Sequence, residues 1–104
     1  MVPPRVWVEV LKGADAGQRF MVLPGDSVIG REARKCQIVL KNDPLVGREH
    51  ARISENAQGH YTLADLGSQN GTCLNEVRID KAVALQNNDR IQVGLSELLF
   101  IDQR

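Results

Sequence analysis

The stretch Arg5-Val6-Trp7-Val8-Glu9-Val10-Leu11 (RVWVEVL) sets Val6, Val8 and Val10 at every second position, on one face of an extended chain. It runs through Lys12 to Gly17 (KGADAG), a loop with two glycines and an aspartate, into Gln18 to Leu23 (QRFMVL). The two runs read as a hairpin. Outward from it, short β-type runs recur at Ser27 to Gly30, Gln37 to Leu40, His50 to Ser54, Tyr61 to Asp65, Thr72 to Leu74, Val77 to Ile79, Arg90 to Val93 and Leu98 to Asp102. Turn chemistry separates them: Pro24-Gly25, Lys41 to Pro44, Glu55 to Gly59, Gly67 to Gly71, Asn75-Glu76 and Gln86 to Asp89. No window of ten residues carries a sustained 3.6-residue apolar stripe with helix caps. The chain is predicted to be all-β, a sandwich of two packed antiparallel sheets whose irregular loops gather at the ends.

A chain of 104 residues supports one independent core and leaves no room for a second catalytic lobe. With no internal repeat, low-complexity tract or linker, residues 1–104 read as a single domain with its core from about residue 6 to 101. Thirteen basic and thirteen acidic residues cancel, which argues against a general nucleic-acid or membrane-surface binder, since such binding needs a strongly basic face. Apolar stretches such as Leu98 to Ile101 fall far short of the roughly 20 residues of a membrane span, and the N-terminus lacks a basic-then-apolar leader, so a cytoplasmic protein is expected. Charge is uneven locally: six basic residues (Arg31, Arg34, Lys35, Lys41, Arg48, Arg52) face three acids (Glu32, Asp43, Glu49) between Arg31 and Arg52, a patch suited to a small anion. Cys36 and Cys73 are expected to be reduced and buried.

Three loop motifs stand in order: Val28-Ile29-Gly30-Arg31, then Val46-Gly47-Arg48-Glu49-His50-Ala51-Arg52-Ile53, then Asp65-Leu66-Gly67-Ser68-Gln69-Asn70-Gly71-Thr72 followed by Leu74-Asn75. With Gln37-Ile38-Val39-Leu40 and Asn88 to Gly94 between and after them, this set resembles the forkhead-associated (FHA) domain over roughly Val6 to Ile101. The resemblance implies a β-sandwich of about eleven short strands whose end loops bind phosphothreonine peptides. Such a ligand, with its −1.5 to −2 charge and three acceptor oxygens, needs a guanidinium fork, short donors and tightly turned loops.

Residue by residue, the resemblance makes Arg31, after Gly30, the principal phosphate-binding arginine. Gly47 stands where the family usually has serine, so the hydroxyl contact is absent and only the backbone N–H remains to donate. A hydrogen bond to a charged group contributes about 1.5–3 kcal/mol, so its loss implies phosphopeptide affinity roughly ten- to a hundred-fold weaker. Arg48 is a plausible compensating contact or, equally, a solvated neighbour of Glu49. Asn70 matches the residue that bonds the peptide main chain beside the phosphothreonine, and Gln69 occupies a variable position able to give a neutral hydrogen bond. Gly30, His50, Ser68, Gly71 and Asn75 are implied to shape and brace the loops rather than to touch ligand.

The function expected is a phosphothreonine-peptide binding module that mediates phosphorylation-dependent protein–protein interaction, its partner a substrate of a Ser/Thr kinase, with no cofactor. The alternative is a phosphate-independent FHA-like scaffold, motivated by Gly47 and the neutral Gln69. No enzyme is expected, because the loop residues are anion-holding donors without a nucleophile or acid–base pair. A metal site is not expected either, since Cys36, His50, His60 and Cys73 lack the short paired intervals of zinc ligands.

Overall fold

In the computed structural model, which describes residues 5–104, every regular element is a strand. They are β1 (Val6–Lys12), β2 (Arg19–Met21), β3 (Asp26–Gly30), β4 (Ile38–Val39), β5 (Ala51–Glu55), β6 (Tyr61–Asp65), β7 (Thr72–Leu74), β8 (Val77–Arg78), β9 (Val83–Leu85), β10 (Arg90–Val93) and β11 (Ser96–Asp102). One sheet has six strands in the order β2-β1-β11-β10-β7-β8, the other five in the order β4-β3-β5-β6-β9. Among the described residues no helix is long and apolar enough to cross a membrane. Residues 1–4 of the expected domain lie outside the described residues.

Period-2 patterning decides which faces meet. Val6, Val8 and Val10 pair across from Asp102, Phe100 and Leu98, and the three valines, Phe100 and Leu98 are buried on one side of the six-stranded sheet. Ile29, Ile38, Ala51, Ile53 and Leu63 answer from the other sheet. Burying each of the larger of these side chains stabilises the fold by about 1.5–3 kcal/mol, so the alternating strands fix both sheet orientation and register. Tyr61 meets Phe100 edge-on with ring centroids 5.5 Å apart, closing one end of this core.

The expected hairpin of the first two runs forms, with Trp7, Val8 and Glu9 opposite Met21, Phe20 and Arg19. Three features differ from the expectation. Val83–Leu85 is an eleventh strand, on the sheet edge beside β6, in a stretch whose alanines gave no β-type signal. β3 and β4 pair in parallel, Ile29 with Ile38 and Gly30 with Val39, so the five-stranded sheet contains one parallel rung. That pairing spans two residues, so the short intervening loop need not make the long crossover that an extended parallel pair requires. Cys73 is only partly buried, because it lies on the solvent side of β7, whereas Cys36 is buried; both are free thiols.

β7 and β8 join through Asn75-Glu76, both with positive φ (49° and 71°), the two-residue turn that matches strand twist. Asn75 is suited to that conformation, and its side chain accepts from Arg90 N–H at 2.9 Å and donates to Asp89 at 3.0 Å, tying the turn to β10. Glu76 N–H donates to Gln92 Oε1 at 3.2 Å, a backbone bond that glycine keeps, while among the described residues its own side chain gains no bond from the strained conformation. Glu76→Gly is expected to raise unfolding free energy by up to about 1 kcal/mol, as read by urea denaturation.

Candidate phosphate-binding loops

β3 ends at Gly30, and the two residues that follow it hydrogen-bond to the loop before β5: Arg31 N–H donates to Gly47 C=O at 2.9 Å and Glu32 N–H to Arg48 C=O at 3.2 Å. This close approach depends on glycine, since a Cβ at Gly30 would fall 2.2 Å from the Arg48 carbonyl oxygen and 2.6 Å from the Cys36 sulfur. Cys36 occupies that space and its thiol donates to the same carbonyl at 3.0 Å. Burial pushes the thiol up, the nearby Glu49 and Glu32 carboxylates add to this, and a backbone hydrogen bond at Glu32 offsets only part, which keeps the proton on sulfur as the donor role requires.

Arg31 is exposed, and its Nε donates to Val46 C=O at 3.0 Å. That bond orients the guanidinium; among the described residues its terminal nitrogens have no partner and no carboxylate pairs with it. Arg31, Glu32 and the exposed Arg48 line an open depression of about 520 Å³. The site is thus two guanidinium groups and one carboxylate. Glu32 is a lining residue that the motifs did not indicate, and its charge opposes anion binding there.

Gly47 departs from what its sequence position implied. Its N–H donates to His50 Nδ1 at 2.9 Å, so the backbone donor expected to face a ligand is already engaged. His50 is fully buried and its Nε2 lies 2.7 Å from Gly71 C=O. One neutral tautomer satisfies both contacts: Nε2 donates to the carbonyl and Nδ1 accepts from Gly47. His50 therefore bridges the two loops, as a brace. A Cβ at Gly47 would meet nothing closer than 3.6 Å, so a Cβ fits there in ordinary van der Waals contact.

The third loop is organised by Asp65, another residue outside the expected set. Its carboxylate accepts from Gly67 N–H and Ser68 N–H at 2.9 Å each, from the Ser68 hydroxyl, and from Thr72 Oγ1 at 2.7 Å. Ser68 Oγ in turn accepts from Gly71 N–H at 2.9 Å. Gly71, with φ of 82°, turns the chain beneath the Arg78 guanidinium. Asn70 is exposed and its Nδ2 donates to Leu45 C=O at 3.0 Å, leaving Oδ1 toward solvent, while Gln69 is exposed. Arg31 and Asn70 are thus anchored on the consecutive carbonyls of Val46 and Leu45. Cys36, His50, His60 and Cys73 do not gather, and among the described residues no three metal-type side chains come together.

Burial pushes the Asp65 carboxyl up, but the hydrogen bonds from Ser68, Thr72 and Gly67 outweigh it and hold the group below the usual carboxylate range. A lowered folded-state value gives stability that is complete above the unfolded value and is lost as pH falls through the folded one. Acid titration followed by unfolding is expected to show this loss below about pH 4, with a shallower acid dependence in Asp65→Asn. Gly30→Ala is expected to destabilise by at least about 1–3 kcal/mol through overpacking against Arg48 and Cys36, as measured by thermal unfolding.

A family model described as FHA domain matches residues 27–94, from β3 through the turn after β10. Glycogen accumulation regulator GarA of Mycolicibacterium smegmatis is 34% identical over 92 residues, covering 88% of this chain and 56% of that protein. An oxoglutarate dehydrogenase inhibitor of Corynebacterium jeikeium is 33% identical over 93 residues, covering 89% and 62%. The chain thus spans a little over half the length of these curated relatives. The crystal structure of the FHA domain of the CT664 protein from Chlamydia trachomatis superposes with a TM-score of 0.87 at 28% identity, covering 96% of this chain and 99% of that one. A structure described under phosphothreonine-dependent FHA domain interactions gives 0.83 at 29% identity, covering 95% and 97%. With the motif loops, the sandwich and the family model in agreement, the chain belongs to the FHA domain family.

Proposed function

We propose that this domain reads phosphothreonine in a partner protein modified by a Ser/Thr kinase, and recruits that partner without chemical turnover. The observation that carries this is Arg31: its Nε is held by Val46 C=O, its terminal nitrogens have no partner among the described residues, and it lines a depression together with Arg48. A guanidinium fixed at one nitrogen presents its remaining donors in a set plane, the geometry that matches phosphate oxygens. The phosphothreonine-dependent interactions described for one structural neighbour point the same way. In this reading Arg31 and Arg48 bind phosphate, Asn70 Oδ1 accepts from the peptide main chain, and Gln69 lies at the rim. Ser68, Gly71, His50, Gly30 and Asn75 hold the loops, and Gly47 supplies space rather than a donor.

One observation favours the second reading, a scaffold that binds without phosphate. The Gly47 N–H is spent on His50 and no hydroxyl stands at that position, while Glu32 lines the depression. The two readings separate on Arg31. Calorimetric titration with a phosphothreonine peptide pool and its unphosphorylated and phosphoserine counterparts is expected to show phosphate-dependent binding that is lost in Arg31→Ala. Binding indifferent to both phosphate and Arg31 would establish the scaffold. Within the first reading, Gly47→Ser is expected to tighten phosphopeptide binding by roughly ten-fold or more, by restoring a hydrogen bond to a charged group. Glu32→Gln is expected to tighten it several-fold at low ionic strength, an effect that fades as salt screens the carboxylate.

A further inference from the structure

Between the end of β4 at Val39 and the start of β5 at Ala51 the chain forms no strand, yet two of its carbonyls hold the anion site. Leu45 C=O receives Asn70 Nδ2 and Val46 C=O receives Arg31 Nε, each at 3.0 Å. What fixes this segment is polar and buried. Asp15, 2% exposed in the β1–β2 loop, accepts from Asn42 Nδ2 at 2.9 Å and from Asn42 N–H at 3.3 Å. Asp43, 1% exposed, accepts from Leu45 N–H on Oδ1 at 3.0 Å, and on Oδ2 from Leu95 N–H at 2.8 Å and the Ser96 hydroxyl at 2.6 Å. Its C=O accepts from Val46 N–H at 3.3 Å, closing a turn around Pro44 and Leu45. Among the described residues no basic side chain pairs with either carboxylate. The turns that meet the segment are packed without slack: a Cβ at Gly94 would fall 2.8 Å from Val46 Cγ2 and 2.9 Å from Asp43 Oδ1, and one at Gly13 2.7 Å from Ser96 Oγ.

All three groups that meet the Asp43 carboxylate donate, so the position calls for two acceptor oxygens. An amide of the same shape offers one, and leaves either the Leu45 or the Leu95 N–H facing a second donor. Leu95 and Ser96 lead into β11, a seven-residue strand paired with β1 on one side and β10 on the other, so the carboxylate ties the loop to a firm part of the sheet. We propose that Asp43 is a positioning residue for phosphothreonine binding, an inference that rests on the phosphothreonine reading above. It meets no ligand itself. It sets the Leu45 and Val46 carbonyls, and through them the Asn70 amide and the Arg31 guanidinium, so that both side chains are ordered before a peptide arrives and less entropy is lost on capture. Asp15 supports the same segment from the β1–β2 loop through Asn42.

The test compares wild type, Asp43→Asn and Tyr61→Leu, the last loosening the contact with Phe100 at the far end of β6 from the site. Each is titrated with a phosphothreonine peptide pool by fluorescence anisotropy, at a temperature where urea denaturation shows it folded. Solvent exchange of the Arg31 Nε–H and the Asn70 side-chain amide is followed by nitrogen-edited NMR without peptide. Asp43→Asn is expected to bind about ten-fold more weakly, the cost of ordering two side chains during binding instead of before it, and to exchange both signals faster. Tyr61→Leu is expected to lose stability yet keep wild-type affinity and exchange. Should Asp43→Asn not fold, Ser96→Ala removes one donor from the carboxylate and is expected to show the same changes at about three-fold in affinity. Wild-type affinity in the Asp43 or Ser96 variant, unmoved Arg31 and Asn70 signals, or an equal loss of affinity in Tyr61→Leu would each overturn the positioning role and leave the phosphothreonine reading standing. Wild type that binds with no dependence on phosphate would remove that reading, and the positioning role with it.

Discussion

His50 is the constraint on which the binding end depends. Fully buried, it spans from the Gly47 N–H of the loop before β5 to the Gly71 carbonyl of the β6–β7 loop. The two loops come from different parts of the chain, and this imidazole is a direct polar link between them. An apolar residue of the same volume would fill the space yet leave a donor and an acceptor without partners. An unmet buried group costs about 1–3 kcal/mol, a large share of the stability of a small domain. Asp65 and Asp43 extend the same logic outward: each carboxylate gathers loop N–H groups that no strand satisfies, together with the hydroxyl of the first residue of the following strand, Thr72 or Ser96.

This arrangement separates the groups that build the site from those that face out of it. Inward-pointing polar atoms are consumed by His50, Asp65 and Asp43, while the terminal nitrogens of Arg31 and the exposed side chains of Arg48, Gln69 and Asn70 remain toward solvent. The domain has no net charge, so attraction of an anion is a local matter of two guanidinium groups set against Glu32. Screening over about 8–10 Å leaves that local balance, rather than the whole-molecule field, in control at physiological salt.

Much of this was legible in the chain itself, for reasons that differ by element. Val6, Val8 and Val10 announce β1 because burial on one face imposes strict alternation, and Tyr61–Asp65 and Arg90–Val93 carry the same signal to their true ends. Val83–Leu85 escaped because alanine carries little strand preference and an edge position needs little. The parallel rung between Ile29 and Ile38 escaped because pairing direction is not written in side-chain periodicity. At the site, the Gly-Arg and Asn-Gly motifs locate the loops, and His50 is found in the bracing place its motif implies. The fate of the Gly47 N–H was not legible, since a backbone group's partner depends on where a distant side chain comes to rest. Asp43, Asp65 and Glu32 look like ordinary surface acids in sequence; only the fold reveals that the first is buried, the second collects four donors and the third lines the depression.

The anchoring of Arg31 and Asn70 on two neighbouring carbonyls has a kinetic side. Because Val46 and Leu45 belong to one short segment pinned from below by Asp43, the guanidinium and the amide cannot wander independently. An arriving segment meets a surface that needs no ordering of its own, so encounter proceeds at a similar pace for many sequences, and discrimination falls to how long each one stays. On the proposed phosphothreonine reading, residence time on such an edge would also set how long a bound phosphate is shielded from hydrolysis.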